Sequence, residues 1–154
     1  MDLRELYQDI ILDHARRPRN FRALADPSHL AHGHNPLCGD KLTVFMKIEQ
    51  DQITQVSFEG RGCAISTASA SLMSEILTGK SVAQAKALFA AFHARVTTGE
   101  VIEVASDLED ASERLEPLTG VRTYPARVKC ATLAWHTVDA AVKAGVLGAT
   151  VKTE

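Results

Sequence analysis

The sequence has little net charge, little cysteine and no long apolar run. Its 17 Lys and Arg against 19 Asp and Glu leave a formal net charge of -2, so no electrostatic argument favours nucleic acid or an anionic membrane surface. The N-terminal stretch MDLRELYQDIILDHARRPRN has acidic residues in its first turn and no uninterrupted apolar segment. We therefore predict no signal peptide, no membrane-spanning helix and a cytoplasmic location.

Cysteine is also scarce, with only Cys38, Cys63 and Cys130 in 154 residues. An odd number of cysteines without a predicted export signal argues against a disulfide framework and favours metal binding or thiol chemistry. Since 45% of the residues are hydrophobic, the chain can form a core without cross-links. We predict one domain spanning residues 1–154.

Apolar residues recur at helical spacing in several segments, which begin at Asp2, Ile65, Ser81, Ser106 and Cys130. Residues 42–48 and 56–58 alternate apolar and polar around the turn EQDQ, which predicts an antiparallel hairpin. Residues 21–36 are predicted to form a loop with a short edge strand, and the tail after Gly145 is predicted to fray. The fold class is α+β, a small antiparallel sheet with helices packed against it.

Each cysteine is predicted to stand at a junction between elements. Cys38 precedes a predicted strand, while Cys63 and Cys130 stand at predicted helix starts. The helix dipole and the free N–H groups of a first turn stabilise a thiolate, which is the form that binds metals and attacks electrophiles. Asp40 follows Cys38 by two residues, so an extended chain projects both to one side. Three thiolates and one carboxylate would complete a tetrahedral zinc site.

The residue pattern alone leaves alternatives open. Thiolates suit zinc, Cu(I) and iron-sulfur clusters equally well, and the sequence has no C-x-x-C knuckle. The competing interpretation is that three unrelated thiols fill helix–strand junctions as Ala or Ser would. His32 and His34 lie near Cys38 along the chain, and the sequence leaves open whether they bind a metal or are solvated.

Four segments, taken in order, carry a family resemblance: LYQDIILDHARRPRN, HNPLCGD, FEGRGCAISTASASLM and PARVKCATLAW. Together they resemble the SufU-type branch of the U-type iron-sulfur assembly proteins, which includes IscU and the N-terminal part of NifU. The resemblance implies an α+β fold with a three-stranded antiparallel sheet and surrounding helices. It implies that zinc is held by Cys38, Asp40, Cys63 and Cys130. It also implies that Cys38 accepts persulfide sulfur from a cysteine desulfurase, with Arg127 near the metal.

Two departures from scaffold members favour sulfur transfer over cluster scaffolding. Lys129 stands where scaffolds place a histidine, and RTYPARVKC replaces the L-P-P-V-K motif in a longer segment between Cys63 and Cys130. We expect Arg127 and Lys129 to stabilise anionic sulfur. The alternatives are a scaffold that assembles and transfers a [2Fe–2S] cluster, and an interaction module with purely structural zinc. The implied partners are a SufS-like cysteine desulfurase and downstream iron-sulfur assembly proteins.

Overall fold

The computed structural model describes residues 2–145, 148 and 150–153. Its α-helices are α1 (Leu3–Arg16), α2 (Ala64–Leu77), α3 (Val82–Thr97), α4 (Glu109–Glu113) and α5 (Pro125–Ala144). Its strands are β1 (His29–Asn35), β2 (Asp40–Glu49), β3 (Gln52–Arg61) and β4 (Thr150–Lys152), and 3₁₀ helices cover Ser106–Leu108 and Glu116–Thr123. Among these helices, none is both long and apolar enough to cross a membrane.

The four strands form one mixed sheet in the order β3-β2-β1-β4. Strands β1, β2 and β3 pair antiparallel, which confirms the predicted α+β class and its antiparallel sheet, whereas β4 pairs parallel with β1. The sheet therefore has one strand more than predicted. The prediction that the tail frays is wrong for residues 150–152, because they pair with β1 and Val151 packs against the core. Residues 146, 147, 149 and 154 of that tail lie outside the described residues.

Local capping signals place the first helices where the sequence predicts them. Asp2 accepts a hydrogen bond from the Glu5 N–H at 2.8 Å and begins α1. Ser81 and Gln84 form a reciprocal capping box at the start of α3. These contacts need only neighbouring residues, so the sequence alone suffices to find them.

The core lies between the inner face of the sheet and the helices. Helices α2 and α5 pack on the sheet, and α3 packs on α5. The Trp135 ring of α5 is 1% exposed, with its centroid 5.5 Å from Phe92 and 6.3 Å from Phe89 of α3. Burying an aromatic side chain of this size contributes on the order of 2–3 kcal/mol.

Helix α5 lies directly against β1. A Cβ at Gly33 would overlap Thr137 Oγ1 and lie 3.1 Å from Leu133 Cδ1, so glycine alone permits this approach. The side chains of Leu133 and Thr137 are fully buried there. Because Cys130 precedes Leu133 by about one turn, the same packing brings its thiol to the end of β1, within 3.5 Å of Asn35 Nδ2.

Candidate metal centre

A tight hairpin carries the first two predicted site residues. Strands β1 and β2 are joined by the turn at residues 36–39, and Asn35 pairs directly with Asp40 at its base. Cys38 lies on this turn and is half-buried, next to Leu37, which is 66% exposed. Asp40 begins β2 and is fully buried. The hairpin thus carries one half-buried thiol and, two residues later, one fully buried carboxylate.

Cys63 stands immediately before α2 and acts as its N-cap. Its Sγ accepts a hydrogen bond from the Ser66 N–H at 3.4 Å, and its own N–H donates to Asp40 Oδ1 at 2.8 Å. The Cys63 Sγ lies 4.0 Å from Asp40 Oδ2. The predicted helix-start position of Cys63 is confirmed, and its sulfur contacts the N–H of the first turn of α2.

Cys130 does not stand at a helix start as predicted, because α5 begins five residues earlier at Pro125. Proline fits the first turn of a helix, where its missing N–H is not needed. Cys130 is fully buried, with its Sγ 3.2 Å from Cys38 Sγ and 3.6 Å from the Ala126 carbonyl. Burial, followed by the hydrogen bond to Cys38, raises the pKa of Cys130. Burial thus favours the neutral thiol of Cys130, and an adjacent cation would favour its thiolate instead.

The structure gathers three of the four predicted ligands tightly. One ligand atom each from Cys38, Asp40 and Cys130 lies within 4.8 Å of the other two. Cys63 stands at the border of this group, 4.0 Å from Asp40. Zinc bonds of about 2.0–2.3 Å place tetrahedral ligands roughly 3.3–3.8 Å apart. The separations of 3.2 Å between the Cys38 and Cys130 sulfurs and 4.0 Å between Cys63 Sγ and Asp40 Oδ2 are close to this spacing, so the donor set fits a zinc ion.

The two basic residues expected at the sulfurs take different places. Arg127 is an exposed residue in the first turn of α5, where interaction with the Cys130 sulfur and the charge of Cys63 raise the pKa of its guanidinium. Lys129 instead lines a separate pocket of about 490 Å³ together with His93 and His136. Of these two basic residues, only Arg127 lies next to the cysteine sulfurs.

His32 and His34, whose role as ligands the sequence leaves open, lie on the face of β1 opposite to Asn35. His32 is exposed and its Nδ1 lies 2.8 Å from Thr43 Oγ1. Strand alternation places His34 on the same side as His32 and turns Asn35 toward the buried side. Neither histidine joins the cluster of candidate ligands within the described part of the chain.

Comparisons with known sequences show which family the chain resembles. A sequence model of the NifU-like N terminal domain matches residues 6–145. The chain belongs to this family. It is 38% identical over 141 residues to the "Zinc-dependent sulfurtransferase SufU" of Bacillus subtilis, covering 92% of each chain. It is 37% identical to the "Iron-sulfur cluster assembly scaffold protein IscU" of Streptococcus pyogenes, covering 92% of this chain and 85% of that one.

Solved structures agree with the NifU-like assignment. The protein called FiSufU, from Fervidobacterium islandicum AW-1, matches with a TM-score of 0.79 at 28% identity. The match covers 92% of this chain and 99% of that chain. The chain is therefore an iron-sulfur cluster assembly protein of the NifU-like family, and the relatives carry both sulfurtransferase and scaffold names.

Sequence reasoning missed two residues that shape this NifU-like site. Asn35 is fully buried and contacts both Asp40 and Cys130, although the stretch HNPLCGD indicates only a turn at this position. Gly62 lies so close to Asp40 that an added Cβ would be 2.8 Å from Asp40 Oδ1. Alternation along β1 was the available signal for Asn35, since Ala31 and Gly33 precede it on the buried face.

Replacing Gly62 with alanine is expected to lower zinc affinity about tenfold while leaving the fold intact. The new methyl group would push on Asp40 Oδ1 and on the Ser66 side chain, 3.2 Å away, and would disturb the bond from the Cys63 N–H. Competition with a chromophoric chelator measures the affinity. Gly120→Ala is the control, because a Cβ there meets no atom within 4 Å. Equal affinities in the two variants would contradict the prediction.

Proposed function

We propose that this chain is a zinc-dependent sulfur acceptor that takes persulfide sulfur from a cysteine desulfurase during iron-sulfur cluster assembly. The observation that carries the proposal is the half-buried Cys38 thiol on an exposed turn, 3.2 Å from Cys130 Sγ and grouped with Asp40. The zinc-dependent relative at 38% identity supports it. We place the reaction in the cytoplasm, with downstream iron-sulfur assembly proteins as the next acceptors.

Four residues would hold the zinc: Cys38, Asp40, Cys63 and Cys130. When bound, zinc supplies the positive charge that keeps these thiols ionised at neutral pH. Asp40 is prepared for this role because the Cys63 N–H fixes its Oδ1 at 2.8 Å, which leaves Oδ2 turned toward the sulfurs. Cys130 is the only fully buried cysteine of the three, so it serves as an anchor rather than as the reacting thiol.

Cys38 performs the transfer. Its thiolate attacks the outer sulfur of the desulfurase persulfide, and a new S–S bond forms between Cys38 Sγ and that sulfur. The S–S bond within the desulfurase persulfide breaks, and the desulfurase cysteine leaves as a thiolate with the bonding electron pair. The transfer needs no outside oxidant or reductant. Arg127, whose exposed guanidinium interacts with the Cys130 and Cys63 sulfurs, stabilises the negative charge that persists through the step.

The test is cysteine-dependent sulfide release by a cognate desulfurase in the presence of a reductant. Wild-type protein with one bound zinc is expected to stimulate release, and Cys38→Ala is expected to reduce the stimulation to the desulfurase background. Lys129→Ala is the matched control, because Lys129 lines the separate pocket, and it should stimulate as wild type does. Undiminished stimulation by Cys38→Ala would sink the proposal.

A second candidate is a scaffold on which a [2Fe–2S] cluster is assembled and then transferred. The scaffold name of the Streptococcus pyogenes relative at 37% identity favours it, and three cysteines and a carboxylate suit cluster iron as well as zinc. Anaerobic reconstitution with iron and sulfide separates the two functions. A stable visible chromophore that passes intact to an apo-acceptor would establish the scaffold, and a colourless zinc protein would exclude it.

A further inference from the structure

Asn35 occupies an unusual place beside the candidate metal centre. Its side chain is fully buried at the last position of β1, opposite Asp40 in the strand pairing. The earlier positions on the same buried face are Ala31 and Gly33, which carry no polar side-chain atoms. A polar amide thus ends an otherwise apolar strand face at the point where it meets the cysteines.

The amide nitrogen of Asn35 contacts two of the clustered ligand residues at once. Its Nδ2 lies 3.4 Å from Asp40 Oδ2 and 3.5 Å from Cys130 Sγ. An amide NH₂ group carries two hydrogens, so it can donate one to the carboxylate and one to the sulfur. Asp40 is thereby held from two sides, by Asn35 at Oδ2 and by the Cys63 N–H at Oδ1.

The other amide atom indicates that packing alone does not explain this residue. Asn35 Oδ1 is buried and has no hydrogen-bond partner among the described protein atoms. A buried polar atom in this state costs on the order of 1–3 kcal/mol, and an apolar side chain of similar size would avoid that cost. The compensation available at this position is the donor function of Nδ2.

We propose that Asn35 is a positioning residue of the metal centre, which orients Asp40 and Cys130 and withdraws charge from the Cys130 sulfur through its Nδ2 hydrogens. The inference rests on the proposed zinc site formed by Cys38, Asp40, Cys63 and Cys130. Three thiolates and a carboxylate around one divalent cation leave excess negative charge, and a buried neutral donor stabilises that charge without competing for the metal. Asn35 itself touches no transferred sulfur.

The test compares wild-type protein with Asn35→Leu and Asn35→Ala. Leucine keeps the volume and removes the donor, while alanine covers the case in which leucine does not fold. Zinc affinity, measured by competition with a chromophoric chelator, is expected to fall about 10–100-fold in either variant. In the cobalt(II)-loaded variants, the sulfur-to-cobalt charge-transfer band is expected to move to longer wavelength, because the sulfur becomes more electron-rich.

Ser57→Ala is the matched control. Ser57 of β3 is also fully buried with a hydroxyl that has no partner among the described atoms, but its strand partner is Phe45 and not a candidate ligand. This control should leave both zinc affinity and the cobalt band unchanged. A shift in the cobalt band separates positioning from a loss of packing, because packing alone does not alter the charge on sulfur.

The outcomes distinguish this inference from the proposed function. If wild-type protein binds zinc and the folded Asn35 variants keep its affinity and cobalt spectrum, the role of Asn35 is refuted and the metal site stands. If wild-type protein binds neither zinc nor cobalt(II), the metal site is refuted, and the positioning role falls with it.

Discussion

Replacing Cys130 with serine is expected to lower the zinc affinity of the protein by about 10²–10³-fold. A structural zinc site of four ligands binds with roughly 10–16 kcal/mol, so one thiolate accounts for about a quarter of that free energy. The Cys130 sulfur lies at the centre of the cluster, 3.2 Å from Cys38 Sγ and 3.5 Å from Asn35 Nδ2. A neutral serine hydroxyl supplies neither the charge nor the reach of the thiolate.

Two measurements check this prediction. Chelator competition gives the affinity, and thermal unfolding with and without added zinc gives the stabilisation that the ion contributes to the native state. Zinc should raise the melting temperature of wild-type protein and have little effect on Cys130→Ser. Thr132→Ser, on the same buried stretch of α5, is the control and should behave as wild type. An unchanged zinc-dependent shift in Cys130→Ser would contradict the prediction.

Local signals in the sequence give most of the helical framework. Capping residues such as Asp2 and Ser81 act within one turn, so the starts of α1 and α3 follow from the neighbouring residues alone. The sequence pattern predicts the start of this last helix at Cys130, whereas α5 begins at Pro125, and proline is common at the first position of a helix. The difference matters for Cys130. The residue lies inside α5 instead of at its start, and burial raises the pKa of its thiol.

The strands are less accessible to sequence reasoning. Strand β1 has the sequence HLAHGHN, in which histidine and glycine hide the alternation, and its burial depends on α5 packing over Gly33. Strand β4 is three residues long and exists through its pairing with residues 32–34. Both strands depend on partners distant along the chain, which local propensity does not report.

For the site, too, the sequence predicts the local features better than the long-range contacts. The identity and order of the motifs pick out Cys38, Asp40, Cys63 and Cys130 as candidates, and the structure brings three of them together with the fourth at the border. The supporting contacts of the site arise only when β1, β2 and α5 meet. The sequence therefore predicts the chemistry of the donor set better than the contacts that hold it in place.

Replacing Gly60 with alanine is expected to destabilise the protein by about 3 kcal/mol or more. Gly60 has φ of +145°, a conformation that L-residues with side chains rarely adopt. An added Cβ would overlap the Lys41 carbonyl oxygen and lie 2.6 Å from the Leu42 Cα, both of them backbone atoms of β2. Backbone atoms cannot rotate away as a side chain can. The added methyl group must therefore push β3 away from β2 and weaken their pairing.

The damage from Gly60→Ala should reach the metal centre as well as the fold. Gly60 pairs with Leu42, two residues beyond Asp40, and precedes Cys63 by three residues, so separating β3 from β2 also separates these two candidate ligands. Denaturant unfolding of the reduced, metal-free protein measures the stability, and chelator competition measures the zinc affinity. Gly120→Ala, whose Cβ meets nothing within 4 Å, should change both by little. If Gly60→Ala matches that control in stability, the close pairing of β2 and β3 at this point is wrong, because no other accommodation of the methyl group leaves both backbones in place.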